Sequence, residues 1–154
     1  MELQEFSSYF RKEFFMPNLK AKTKNEVFEE MVQSFTKNTH LKDSRLIIEM
    51  LKRREELGST GIGHGIAIPH GRSLSTPSLL VAFGKSAAGI DFDAIDQKPV
   101  YLIFMIVAPP QEQSNVYLPF LGKLVEVLKQ KQVRENLKQV EKFQDFISTL
   151  SGGF

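Results

Sequence analysis

The 154-residue sequence predicts an α/β fold: a three-layer α/β/α sandwich with a central mixed β-sheet flanked by helices. Two observations carry that prediction. Amphipathic helical stripes alternate along the chain with short apolar runs rich in β-formers. Those runs lack strict inside–outside alternation, as expected of strands covered on both faces. No repeat or low-complexity linker divides the sequence, so residues 1–154 read as one domain.

The elements follow in order. Leu3, Phe6, Tyr9 and Phe10, at spacings of three and four, predict a short amphipathic helix. Phe14, Phe15 and Met16 before Pro17 read as a short strand. Thr23-Lys-Asn-Glu26 is a capping box, in which the threonine side chain accepts from the Glu26 amide and the glutamate reaches back. The helix it opens carries Val27, Phe28, Met31, Val32 and Phe35 on one stripe and ends near Asn38. A second helix starts near Asp43 or Ser44, with Leu46, Ile47, Met50, Leu51 and Leu57 marking its buried face. Steps of three and four along that face also place Arg54 on the inward side.

Residues 58 to 71 hold five of the ten glycines, which implies backbone in conformations that side chains forbid, or amides that approach something closely. Ile66-Ala-Ile68 reads as a short buried strand ending at Pro69 and His70. Leu79–Phe83 and Val100–Val107 read as strands, with a loop and a short strand or turn over 89–96 between them. After Pro109-Pro110, Ser114 or Asn115 caps a long helix striped by Tyr117, Phe120, Leu121, Leu124, Val125 and Leu128. Pro119 falls within its first turn, where a missing amide costs least. Two shorter helical stretches, near Val133–Leu137 and Val140–Leu150, finish the chain.

Composition narrows the function classes. Apolar residues make up 42% of the chain and the formal net charge is +2, a mixture that excludes a disordered polyelectrolyte. No basic cluster dominates a segment, since Lys52-Arg53-Arg54 is followed at once by Glu55-Glu56, so no nucleic-acid partner is expected. Cysteine is absent, which removes disulfides, thiolate metal sites and cysteine nucleophiles together. The acidic start lacks the layout of a secretory signal, and the longest apolar run, Val100 to Ala108, is too short to span a bilayer. A cytoplasmic protein without direct membrane insertion is expected.

The common catalytic motifs are missing. There is no P-loop and no nucleophile elbow, and Gly61-Ile-Gly63-His-Gly65 follows a helix where a dinucleotide fold needs a strand. His40, His64 and His70 lack any metal-ligand spacing, so neither a metal nor a cofactor is expected. Arg54, the glycine loop with Ser59 and Thr60, and His70 remain. A histidine near neutral pKa can offer one ring nitrogen as nucleophile while a hydrogen bond at the other fixes its tautomer. Loop amides and one arginine can neutralise a dianionic phosphoryl group. On spacing alone both residues also have a plainer reading. His70 is then a turn histidine with its hydrogen bonds satisfied, and Arg54 a surface residue with its stem buried and its head in water.

The stretch Arg54-Glu-Glu-Leu-Gly-Ser-Thr-Gly-Ile-Gly-His-Gly-Ile-Ala-Ile-Pro-His70-Gly-Arg closely resembles the active-site signature of IIA proteins of the bacterial phosphotransferase system. Within these it resembles the fructose/mannitol class, and most of all the nitrogen-regulatory members, over nearly the whole chain. The resemblance implies a phosphoryl relay rather than a free-standing small-molecule enzyme. His70 matches the nucleophile, which takes the group from a histidine-phosphorylated carrier protein and passes it to a IIB cysteine or holds it as a regulatory mark. Arg54 matches the arginine that steadies the phosphohistidine, and Ser59 and Thr60 match the loop lining the phosphate site.

Two positions depart from the family pattern. His64 stands where an asparagine or another polar residue is usual, and Tyr117-Leu118 stands where a second active-site histidine precedes a leucine. Both are expected at the phosphate site: His64 as a hydrogen-bonding partner of the phosphoryl group or a tolerated polar substitute, and Tyr117 as a donor that cannot carry positive charge. Three functions stay open on the sequence. They are a nitrogen-regulatory IIA acting on regulatory targets, a sugar IIA feeding a separate IIB protein, and an interaction module that no longer transfers phosphate.

Overall fold

The computed structural model describes residues 1–39, 41, 43–111 and 115–154. His40 and Ser114, both considered above, lie outside the described residues. Helix α1 (Leu3–Ser8) and a 3-10 turn (Lys12–Phe14) lead into strand β1 (Phe15–Met16). Helices α2 (Lys24–Asn38) and α3 (Ser44–Glu56) follow. Then come β2 (Gly61–Gly63), β3 (Ile66–Ala67), β4 (His70–Arg72), β5 (Leu80–Ile90) and β6 (Val100–Ala108). Helices α4 (Tyr117–Leu128), α5 (Lys131–Leu137) and α6 (Phe143–Gly153) close the chain.

The six strands form one sheet in the order β1-β5-β6-β3-β2, with β4 also on β6. Antiparallel β5–β6 and β2–β3 pairs coexist with parallel β1–β5, β3–β6 and β4–β6 pairs, so the sheet is mixed, as expected. Strand β6 is the spine. Its Leu102, Phe104, Ile106 and Ala108 face a core shared with Tyr117, Phe120 and Leu124 of α4 and Phe146 of α6. Its Ile103, Met105 and Val107 face a second core with Phe28, Met31 and Phe35 of α2 and Ile47 and Leu51 of α3. Two apolar faces on one strand explain the missing polar alternation and make the three layers. Phenylalanine rings dominate the first core: Phe83 and Phe146 lie 4.5 Å apart between centroids, and Phe6 stacks on Phe120 at 5.2 Å.

Local chemistry sets the boundaries. The Thr23 side chain accepts from the Glu26 amide at 3.2 Å, as the capping box predicts, but Glu26 reaches one residue further back, to the Lys22 amide at 3.0 Å. Asp43 caps α3 through the Arg45 amide. Leu57 and Leu46 are corrections: they are 86% and 46% exposed, not buried. Helix α3 ends at Glu56, so Leu57 leaves the stripe, and Ile47 and Leu51 form the inward face. Asn115 does not cap α4 either. The cap position is Val116, without a side-chain bond, and Asn115 has a φ of 50°, a left-handed turn into the helix.

Candidate functional site

The site grows from one broken strand. Strands β3 and β4 run in sequence beside β6, which carries Leu102 opposite Ile66 and Ile106 opposite His70. Between them Pro69, with no amide to donate, still accepts from the Ile106 amide through its carbonyl at 2.9 Å, so the ladder continues across the break. Strand β2 covers the outer edge of β3 only. His70 therefore begins its own strand just where the covering hairpin has ended, rather than ending the strand before it.

The pleat decides where the side chains go. Ile66 and Ile68 lie in the core facing α4, and Ala67 lies in the core facing α3. The same alternation puts His70 and Arg72 on the α4 side and Gly71 on the α3 side. Gly71 confirms it, because a Cβ there would run into Met50 of α3.

The His70 ring is half-buried, and its Nδ1 lies 2.6 Å from the Ile68 carbonyl oxygen. A carbonyl only accepts, so Nδ1 carries the proton and Nε2 carries the lone pair.

The loop before β2 is tied to this strand. The Ile68 amide donates to the Thr60 carbonyl at 2.9 Å, which runs residues 58–60 alongside the approach to His70. Arg54, half-buried in the last turn of α3, donates from Nη1 to the Gly58 carbonyl at 2.9 Å. The guanidinium thus reaches the same end of the sheet from the opposite helical layer. The glycine is needed here: its φ of 156° is one that other residues rarely adopt.

The two loop hydroxyls are engaged. Ser59 Oγ donates to the Phe92 carbonyl and accepts from the Gly61 amide at 3.0 Å. Thr60 is 3% exposed, and its hydroxyl and amide both donate to the Glu55 carboxylate. These residues hold the loop in shape, and the loop backbone is what faces the strand.

His64 is a correction. It sits at the tip of the β2–β3 hairpin with a φ of 58°, its amide donating to Asp96. Neighbouring Gly65 is bonded to Tyr101 and Leu102 at the start of β6. Ile66 and His70 are already about 13 Å apart along the strand, and His64 lies beyond Ile66. The glycine run hid that distance, because it contains a strand pair rather than one compact loop. Asp96, which holds the tip, has its carboxyl below the usual aspartate range, chiefly through the Lys98 amide and also through the His64 amide.

Tyr117, the first residue of α4, is 5% exposed, and Arg72 lies across its ring. Arg72 also donates to the Pro109 carbonyl at 2.9 Å. The sequence reading passed Arg72 over, though the signal was available: two positions after His70 on a strand is the same face. Glu55 was passed over as well. Its side chain is 6% exposed and is also paired with Lys24 at 3.0 Å. Leu57 and Leu118, adjacent in sequence to Gly58 and Tyr117, and Leu74, two residues after Arg72, are 86%, 68% and 87% exposed. Among the described residues, no group of acids and histidines suits a metal ion, and no helix is long and apolar enough to cross a membrane.

Comparison with known proteins matches residues 8–152 to the family described as "Phosphoenolpyruvate-dependent sugar phosphotransferase system, EIIA 2". The fructose-specific EIIABC component of Bacillus subtilis is 37% identical over 124 residues, which is 80% of this chain; the chain spans only 19% of that longer protein. A nitrogen regulatory protein of Pseudomonas aeruginosa is 35% identical over 121 residues, covering 79% of this chain and 78% of the relative. The crystal structure of nitrogen regulatory protein IIA-Ntr from Neisseria meningitidis superposes with a TM-score of 0.84 at 30% identity, covering 95% of this chain and 99% of that one.

Proposed function

The chain belongs to the EIIA type 2 family of the phosphoenolpyruvate-dependent sugar phosphotransferase system, and from that premise we propose that it carries a phosphoryl group on Nε2 of His70. The observation that supports this most is the His70–Ile68 hydrogen bond, which leaves the Nε2 lone pair as the nucleophile on a sheet edge that β2 no longer covers.

In the proposed step, Nε2 attacks phosphorus in line with the nitrogen–phosphorus bond of a histidine-phosphorylated carrier protein. The new N–P bond forms as the old one breaks, and the donor imidazole leaves with the electron pair. The His70 ring gains positive charge, which the Ile68 carbonyl stabilises through Nδ1–H. Arg54 and the loop backbone neutralise the transferring group, and no acid or base is required, so positioning and charge carry the rate. Ser59 and Thr60 shape that loop. Tyr117 forms a floor under Arg72, and His64 has no part in the step.

The exposed leucines 57, 74 and 118 suit a protein donor rather than a small molecule, since apolar side chains around a charged centre gain by being covered. We assign the nitrogen-regulatory reading, with phosphorylation controlling contact with regulatory targets in the cytoplasm. It is supported by the Pseudomonas aeruginosa relative and the Neisseria meningitidis structure. The Bacillus subtilis relative favours a second reading, a sugar IIA that hands the group to a IIB cysteine.

The test is intact mass after incubation with phosphoenolpyruvate, the first enzyme of the relay and its carrier. The wild type should gain one phosphoryl group, His70→Ala none, and Arg54→Ala should gain it at least about 10-fold more slowly with the fold intact. No gain in the wild type would favour an interaction module without transfer, and gain in His70→Ala would move the acceptor. Adding IIB proteins separates the remaining readings, because only the sugar IIA should pass the group to cysteine.

A further inference from the structure

We propose that Glu55 is a positioning residue for the His70 ring, acting through Thr60 and Ile68; the inference deepens the proposed phosphoryl transfer to His70 and rests on it. Glu55 Oε2 accepts from the Thr60 amide at 2.9 Å, and Oε1 accepts from the Thr60 hydroxyl. The Thr60 carbonyl accepts from the Ile68 amide at 2.9 Å, and the Ile68 carbonyl accepts from His70 Nδ1 at 2.6 Å. An unbroken series of hydrogen bonds therefore runs from a carboxylate on α3 to the ring nitrogen that selects the tautomer.

The placement of Glu55 is unfavourable for α3 taken by itself. A carboxylate in the last turn of a helix opposes the helix dipole, and one only 6% exposed has lost most of its water. Lys24 Nζ at 3.0 Å and the two Thr60 donors compensate it. The same helical turn supplies Arg54, so one turn both carries the guanidinium and fixes the strand that carries the nucleophile. Losing the carboxylate frees Thr60, then the Ile68 peptide, and the imidazole can exchange tautomers and swing.

The test compares Glu55→Ala and Thr60→Val with the conservative Glu55→Gln and Thr60→Ser. The readouts are steady-state transfer from the phosphorylated carrier and nitrogen-15 NMR of the His70 ring. A glutamine can accept from the Thr60 amide and donate to the Thr60 hydroxyl oxygen, so it keeps both links. Glu55→Ala should lower kcat about 10- to 100-fold at an unchanged KM, with a ring spectrum of mixed tautomers. Thr60→Val should lower it in the same sense but less, and Glu55→Gln and Thr60→Ser should recover to within about 3-fold of wild type. Unchanged kcat and an unchanged Nδ1–H tautomer in Glu55→Ala would overturn the proposal. If Glu55→Ala does not fold by circular dichroism, Thr60→Val decides in its place by the same two readouts. The NMR arm needs no donor: a wild type that takes up no phosphoryl group refutes the transfer reading, and the tautomer of the variants still decides the role of Glu55.

Discussion

The guanidinium of Arg72 lies over the ring of Tyr117, 4.8 Å from its centroid, while Nη1 holds the Pro109 carbonyl at 2.9 Å. Tyr117 stands where the family resemblance leads one to expect a second histidine, and a phenol cannot carry positive charge at neutral pH. A cation stacked on it can, and this one comes from the same strand and the same face as His70. Arg72→Gln should therefore slow phosphoryl gain about 10-fold without lowering the melting temperature by more than a few degrees. Stopped-flow or quench-flow mass measurement checks it, and an unchanged rate would leave Arg72 as a purely structural partner of Tyr117.

Leu118→Asp tests the docking of a protein donor. Leu118 is 68% exposed beside Tyr117, so the change removes apolar area and adds like charge near the incoming phosphoryl group without disturbing the core. KM for the phosphorylated carrier should rise about 10-fold or more, as for a central interface residue, with an unchanged melting curve. An unchanged KM would place the carrier on another face.

Gly61→Ala tests the loop's foundation. An added Cβ would lie 2.7 Å from Ala94 Cβ and 3.0 Å from its backbone Cα, and backbone cannot yield as a side-chain tip can. The loop also hangs on this residue, since the Gly61 amide donates to Ser59 Oγ and its carbonyl accepts from the Ile95 amide. Destabilisation of about 1–3 kcal/mol in urea unfolding is expected, together with slower transfer. Wild-type stability would show that the 93–96 segment moves freely.

Asp96 sets a pH dependence at the hairpin tip. Its carboxyl is held below the ordinary range first by the Lys98 amide, so the bonds it makes are fully present above the ordinary aspartate value. They are lost as pH falls through the depressed native value. Amide chemical shifts of His64 and Lys98 should titrate together, with a midpoint below the ordinary aspartate value, and the rate of phosphoryl gain should not follow that titration. A midpoint at or above the ordinary value, or a rate that tracks it, would contradict both the bonding and the separation of this tip from His70.

Much of this was legible in the sequence because the residues concerned act locally. Thr23 announces its helix by chemistry that needs only the next three residues and caps as expected, and of the two starts open for the second helix, Asp43 or Ser44, Asp43 is the cap. The apolar runs gave away a sheet covered on both faces, since β6 packs against helices on either side. Other features were set by tertiary pairing. Gly61–Gly63 is a strand with almost no intrinsic preference for one, held by Ala67 and Ile66 opposite, so glycine content alone suggested a loop. Strand β5 runs on through Gly84 and Lys85 because β6 continues beside it. Leu57 was misplaced by extending a helical stripe one residue past the helix. At the site, His70 and Arg54 stood out as residue types in a resembling motif. Glu55 and Arg72 stood in the same motif and did not, because their importance lies in which strand and which face the fold gives them.

In the proposed transfer the Ile68 carbonyl accepts from His70 Nδ1–H, which keeps the ring proton on that nitrogen and leaves Nε2 to react. Nitrogen-15 and phosphorus-31 NMR of the phosphorylated protein, with the His70 ring labelled, tests it most directly. Phosphorus coupled to Nε2, with Nδ1 still protonated, is the predicted result. Phosphorus on Nδ1, or on any residue other than His70, would contradict the account.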